Sequence, residues 1–344
     1  MSGTTVKGVN LALQGGGSHG AFTWGVLDRL LEEDNRLRIE GISGTSAGAM
    51  NAAVLLNGYA TGGADGAREM LERFWTGVSA LGSFGLPHRS VVDQMLGNWN
   101  TDNSPATMMT DMMQRMMSPY QTNLFNLNPL RDLLEDILDI EAIRAFPAIK
   151  LFVSATNVET GRIRVFRREE VSLDVLMASA CLPLAFQAVP VDGVPYWDGG
   201  YVGNPAVFPL IYHCTTPDVV LVQINPMVRS GTPDSPMEII NRINEISFNS
   251  SLMSEMRAIA FVQKLIEEDQ LKNEEAARLK HMFIHVIAAE DEMRALGSAS
   301  KINTDMDFLL HLKDLGRRTA EAWLTANWDA LGQRSSINVK QMFL

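Results

Sequence analysis

The sequence predicts an α/β protein, a mostly parallel central sheet flanked by helices. Three observations predict it. Strand, glycine turn and helix follow one another twice, in VNLALQGGGSHGAFTWG and again in RIEGISGTSAGAMNAA, and parallel strands need such crossovers. Five further strand patterns alternate with helical ones down the chain. The length of 344 residues with 46% hydrophobic content is enough to bury a large core.

The first strand is expected at Val9–Leu13, followed by glycines and a helix through about Leu31. Arg38–Ser43 is the second strand, running into a small-residue helix that ends near Gly58. Later strands are expected at KLFVSAT (150–156), RIRVF (162–166), VPYWD (194–198), DVVLVQIN (218–225) and MFIHVIA (282–288). Helices are expected at Leu130–Leu138, Asp174–Ala180, Met237–Gln270 and Asp307–Trp328. No internal repeat is present. Residues 6–212 read as one domain, with 213–344 as a C-terminal extension packed on the same core.

Residues 77–128 depart from this pattern, being rich in Gly, Asn, Ser and Met. Within them Met108, Met109, Met112, Met113, Met116 and Met117 share one helical face. The plainer expectation is a packing helix, since a methionine stripe is usually core. The sharper one is a lid or acyl-binding surface carried by a long insertion.

Composition narrows the function. A net charge of −11 argues against nucleic acid and against electrostatic docking on anionic lipid, while leaving apolar contact with a membrane or micelle open. No apolar run reaches the ~20 residues that span a bilayer, and the N-terminus lacks a signal-peptide core. Cys181 and Cys214 are far apart with no metal-ligand spacing, which fits a reducing compartment and a cytoplasmic protein.

Gly44-Thr45-Ser46-Ala47-Gly48 fits G-x-S-x-G between a strand and a helix. That is the nucleophile elbow, where a sharp turn lifts the hydroxyl clear of the backbone and glycines remove colliding side chains. Standing alone, the pattern equally describes a serine helix cap.

Gly15, Gly17 and Gly20 satisfy G-x-G-x-x-G, the spacing that cradles a dinucleotide pyrophosphate. Glu40 has roughly the spacing of the ribose-binding acid, so a dinucleotide-binding protein is a real rival. A P-loop is excluded because Ala21-Phe22 follows Gly20. A glycine nest beside a nucleophile also makes sense as an oxyanion hole for acyl transfer, with Gly15, Gly16, Gly17 and Ser18 as the loop.

A serine needs a base. His88, His213, His281, His285 and His311 follow Ser46, and none sits in a clear strand-end loop. Asp198, ending an apolar strand before Gly199-Gly200, is the stronger candidate, set against the common Asp-Gly turn without chemistry. Cys181 lacks an elbow and reads as a buried thiol. Arg162, Arg164, Arg167 and Arg168 could meet phosphate head groups, but Glu169 and Glu170 follow directly, which favours a solvated strand edge.

In this order, Gly15-Gly16-Gly17-Ser18-His19-Gly20, Gly44-Thr45-Ser46-Ala47-Gly48 and Asp198-Gly199-Gly200 resemble the patatin-like phospholipase family, and ASACLP (178–183) is similar to the segment before that family's aspartate. The resemblance covers roughly residues 8–212. It implies a patatin-like three-layer fold and a Ser46–Asp198 dyad without histidine. It further implies an oxyanion hole from the Gly15–Gly17 loop and lipid acyl esters as substrates, with Gly20, Gly44, Gly48, Gly199 and Gly200 supporting the motifs. The chemistry requires no metal or organic cofactor. His19 stands where many members carry Arg or Lys. Acyl transfer to an alcohol other than water is the nearest alternative.

Overall fold

The computed structural model describes residues 6–82, 117–268 and 279–343. Most of the methionine stripe, Met108 to Met116, and His88 lie outside the described residues. Among those described, eight strands form one sheet in the order β5-β6-β3-β2-β1-β7-β8, with β4 paired to β3. The strands are β1 (Lys7–Leu13), β2 (Leu37–Thr45), β3 (Lys150–Asn157), β4 (Ile163–Arg167), β5 (Val189–Val191), β6 (Val194–Asp198), β7 (Asp218–Gln223) and β8 (Phe283–Ala288). The run β3-β2-β1-β7-β8 is parallel throughout, while β4, β5 and β6 pair antiparallel.

Helices cover both faces, as buried parallel strands require. Along β7, Val220 and Val222 join one apolar core, whereas Val219 and Leu221 join another. That alternation assigns the two cores to opposite faces. The first core takes in helices α1 (Gly20–Leu31) and α2 (Ala47–Gly82), α3 (Leu173–Ser179) and, near the C-terminus, Met306–Asn327. The second lies under the helix Pro236–Glu267, labelled α4, with α5 denoting Met306–Asn327. The result is three layers, α/β/α.

Where boundaries shift, the reasons are physical. β2 runs through Thr45 because Gly44 and Thr45 still pair with Leu13 and with β3. The helix expected to end near Gly58 continues to Gly82, with its break at Gly62 and Gly63, the latter at φ 63. Gly58 is instead a contact residue: a Cβ there would overlap the Gly66 carbonyl as the chain folds back. β5 is only three residues long and has no visible pattern of its own.

α1 and α5 cross with their backbones touching. A Cβ on Gly25 would overlap the Lys313 carbonyl, and one on Gly316 would overlap that of Phe22. Because backbone cannot step aside as a side-chain tip can, Gly25→Ala is expected to cost about 3 kcal/mol through forced separation of the helices. Thermal unfolding checks this, and an unchanged Tm would refute it.

Candidate active site

β1 lies between β2 and β7 and is the point where the strand order reverses, and the carboxyl end of such a strand is where open α/β sheets place their ligand sites. There the glycine loop turns into a 3-10 turn, Gly17–His19, and then α1. The turn is crowded against the neighbouring strand end. A Cβ on Gly15 would stand 2.7 Å from Ser46 Cβ, and one on Gly20 would stand 2.8 Å from Ala47 Cβ. A Cβ on Gly48 would overlap the Leu13 carbonyl, and Gly44 and Gly48 are themselves in backbone contact. Side chains at these positions would push the two loops apart.

Ser46 adopts φ 54, a left-handed conformation that a non-glycine residue rarely takes. It sits between the last residue of β2 and the first of α2, and its residue surface is 8% exposed. The Ser46 N–H donates to Ser179 Oγ at 2.9 Å, and Ser179 Oγ donates to the Ser154 carbonyl at 2.7 Å. The elbow is thus pinned by a serine from α3.

The sheet explains how Asp198 arrives beside it. β2 pairs with β3 as far as Thr45 and Ser154. β4 occupies the opposite edge of β3, so β6 takes the edge that β2 vacates, beginning with Asp198 opposite Ala155. β2 and β6 therefore meet nearly end to end, one running straight into Ser46 and the other ending on Asp198. Asp198 Oδ1 accepts from the Gly200 N–H at 2.7 Å, while Oδ2 is buried with no hydrogen bond formed. Burial pushes this carboxyl up to about 6, against the lowering effects of the Gly200 N–H, the Ser46 hydroxyl and the charge of Lys301. Gly199 has no room for a side chain, since its Cβ would overlap the Ser154 carbonyl.

The glycine loop is held from below by amides. Gly15 N–H donates to Asn204 Oδ1 at 2.6 Å, and the Gly15 carbonyl accepts from Asn225 Nδ2 at 2.8 Å. Gln14 Oε1 accepts from the backbone N–H groups of Ile224 and Asn225. Of the loop's donors, the Gly15 N–H is therefore already engaged. Gly16 and Gly17 follow it, with Gly17 at φ 59 against the Lys301 carbonyl. Ser18 is buried in the turn.

His19 is buried too, with Nε2 2.7 Å from Ser300 Oγ. Ser300 gives its hydroxyl proton to the Gly297 carbonyl, so His19 is the donor in that pair. Burial, aided by Lys301, lowers its pKa well below the usual range, and the ring is neutral.

The other histidines stand elsewhere. His285 pairs with buried Asp218 at 3.0 Å, His281 lies 3.5 Å from Glu267, His213 is beside Arg167, and His311 is exposed on α5. Cys181 is buried, which together with the charge of Asp198 pushes its thiol up to about 12. The arginines of β4 and of the turn after it are largely spent on neighbouring acids: Arg164 pairs with Glu170, and Arg168 with Glu169 at 2.6 Å. Among the described residues no group of three His, Cys, Asp or Glu is placed to hold a metal.

Glu40 does not approach the glycine loop. It lies about five residues before the end of β2, ~16 Å along the strand. It accepts there from the N–H groups of Thr215 and Thr216 and from Lys150 Nζ at 3.0 Å. Burial alone would raise its pKa, but these donors hold it at about 2. The acid that a dinucleotide ribose would need is thus committed elsewhere.

The family model for patatin-like phospholipases matches residues 11–211. The chain belongs to the patatin-like phospholipase family. That family acts on lipids as acyl hydrolases, and the mostly parallel sheet between helical layers is its fold. The crystal structure of VipD from Legionella pneumophila is similar at 15% identity over 90% of this chain and 67% of that one, with a TM-score of 0.35. No curated protein matches. Among the described residues of this patatin-like protein, no helix is long and apolar enough to cross a membrane.

Several residues of the site escaped the sequence reading, Gln14 and Asn225 beneath the glycine loop among them. Ser179 lies within the quoted ASACLP segment and Asn204 six residues past Asp198, so both sat inside recognised stretches without a distinguishing pattern. Lys301 lies more than a hundred residues beyond Asp198.

Proposed function

We propose that this chain is a serine acyl hydrolase cleaving carboxylic esters of lipids, of phospholipase A, lysophospholipase or esterase type. The observation that carries the reading is the end-to-end meeting of the Ser46 elbow and Asp198, whose buried Oδ2 is left for a proton. Asp198 takes the hydroxyl proton as Ser46 Oγ attacks the ester carbonyl. The oxyanion rests on the N–H groups of Gly16 and Gly17, with Ser18 next in the loop and Gly15 fixing its shape through Asn204. Asp198 then hands the proton to the leaving alcohol, and water, deprotonated by Asp198 in turn, releases the acyl group. A carboxyl held at about 6 is a far better base at neutral pH than one at its ordinary value.

Apolar surface beside the site supports a lipid substrate. Leu124, Phe125 and Leu127 are 74%, 86% and 69% exposed, and Leu184 is 61% exposed. The two loops are joined by Gln187 Nε2 donating to the Asn123 carbonyl at 2.8 Å. The second leads to Cys181, whose carbonyl accepts from Asp198 N–H at 2.8 Å. Exposed apolar side chains on segments tied in this way to the strand end that carries Asp198 fit contact with a lipid surface.

The test is fatty-acid release from a panel running from short aryl esters to diacyl phospholipid vesicles, with Ser46→Ala as blank. Serine-dependent release is the expected result, and a silent panel would overturn the reading. Phe125→Asp is expected to slow vesicle hydrolysis about tenfold while leaving the soluble short ester within about twofold. Equal loss on both substrates would remove the lipid-contact role of this surface.

A further inference from the structure

The proposed reaction needs its aspartate ionised in a buried place, beside a loop that must carry negative charge. The loop's own titratable side chain offers no help, since His19 is neutral and bonded to Ser300. The next residue along is Lys301. Its backbone carbonyl packs on Gly17, and its half-buried side chain donates from Nζ to Asn225 Oδ1 at 2.8 Å. Asn225 in turn donates to the Gly15 carbonyl. The ammonium also lies 5.7 Å from the centre of the Phe248 ring, and that ring packs on Gly200, two residues from Asp198.

We infer that Lys301, from the 3-10 turn Ser298–Ile302, is the site's cation, a positioning residue that holds the Asp198 carboxylate ionised. The inference rests on the acyl-hydrolase reading above and adds to it a group from outside the family-matched segment.

Among the described residues, the other groups named around Asp198 do not supply charge. Ser46 and the Gly200 N–H are neutral donors. The Cys181 thiol and Tyr201 hydroxyl are both pushed up to about 12 by burial and by Asp198 itself, and stay protonated. Burial is the largest influence on Lys301 and lowers its pKa below the ordinary lysine value, with Arg229 acting the same way, while Glu245 and Asp198 favour the charged form. Arg229 is itself held by Glu245 in a paired contact at 2.7–2.9 Å. The ammonium therefore has one buried carboxylate committed to the arginine and another, Asp198, in the site.

The experiment titrates the Asp198 side-chain carboxyl by 13C NMR in protein with labelled aspartate, the resonance being identified by its loss in Asp198→Asn. Wild type is compared with Lys301→Met, Lys301→Gln and Lys301→Arg, and the acid limb of ester hydrolysis is measured alongside. Removing the charge is expected to raise the midpoint, so that below it the ionised fraction and the rate fall roughly three- to tenfold. Lys301→Arg is expected to restore the wild-type midpoint. Lys301→Gln keeps a donor for Asn225, so it carries the test if Lys301→Met fails to fold. An unmoved midpoint in the neutral variants, or an equal shift in Lys301→Arg, overturns the inference. A shifted midpoint in an enzyme that hydrolyses no ester through Ser46 would instead leave Lys301 in place and overturn the acyl-hydrolase reading.

Discussion

Ser46→Ala is expected to lower lipid-ester hydrolysis by about 10⁴-fold or more, to the level that binding and an empty oxyanion hole can sustain. The size follows from what the substitution removes and what it leaves. Alanine at this position meets the same left-handed backbone as serine, φ 54, so the elbow is no more strained than before. The bonds that pin the turn belong to its backbone N–H and to Ser179, and both survive. What disappears is the one oxygen facing Asp198 at the end of β2. Fatty-acid release and thermal unfolding, measured together, should therefore show a chemical loss without a stability loss. A variant retaining activity within tenfold of wild type would mean that another group attacks the ester.

Asp198→Asn is expected to cost about 10³-fold, the middle of the range for loss of a general base. The amide oxygen can still accept from the Gly200 N–H, so the turn after β6 keeps its shape. It cannot accept a proton. The sharper reading comes from pH. A base must be ionised to act, so wild-type kcat/KM should be flat above the Asp198 pKa of about 6 and fall tenfold per unit below it. In Asp198→Asn that acid limb should vanish, leaving a low rate with no inflection near 6. Persistence of the limb in the variant would assign it to a different group and remove Asp198 as the base.

Much of this arrangement was legible because it is local in sequence. The glycine loop and the serine elbow each need a strand, a tight turn and a helix within about fifteen residues, and only small residues fit such turns. Gly48 and Gly20 illustrate why, since both lie in contact with the neighbouring loop. The pairing of Ser46 with Asp198 was less visible, because it depends on β6 taking over an edge of β3 where β2 stops. Glu40 shows the converse. Its spacing suited a ribose, yet strand direction carried it to the far part of β2 and into the Thr215–Thr216 turn. Gly58 misled in another way: glycine ends helices, but it also lets chain segments touch, and here the contact with Gly66 decided. Lys301 had no signal at all. A lone lysine in SASKIN acquires meaning only when the chain, having left β8, lays the turn Ser298–Ile302 against the glycine loop.

The family segment, residues 11–211, closes before β7 and β8 begin. Yet β1, which carries the glycine loop, is hydrogen-bonded to β2 on one side and β7 on the other. A chain cut at that boundary would keep the serine, the glycines and the aspartate. It would also turn β1 from a central strand into a raw edge, its Asn10–Leu13 amides and carbonyls open to any strand that came along. The segment matched by the family model is thus not a portable cassette: moved to another scaffold, it would bring the groups proposed to react without the wall they lean on.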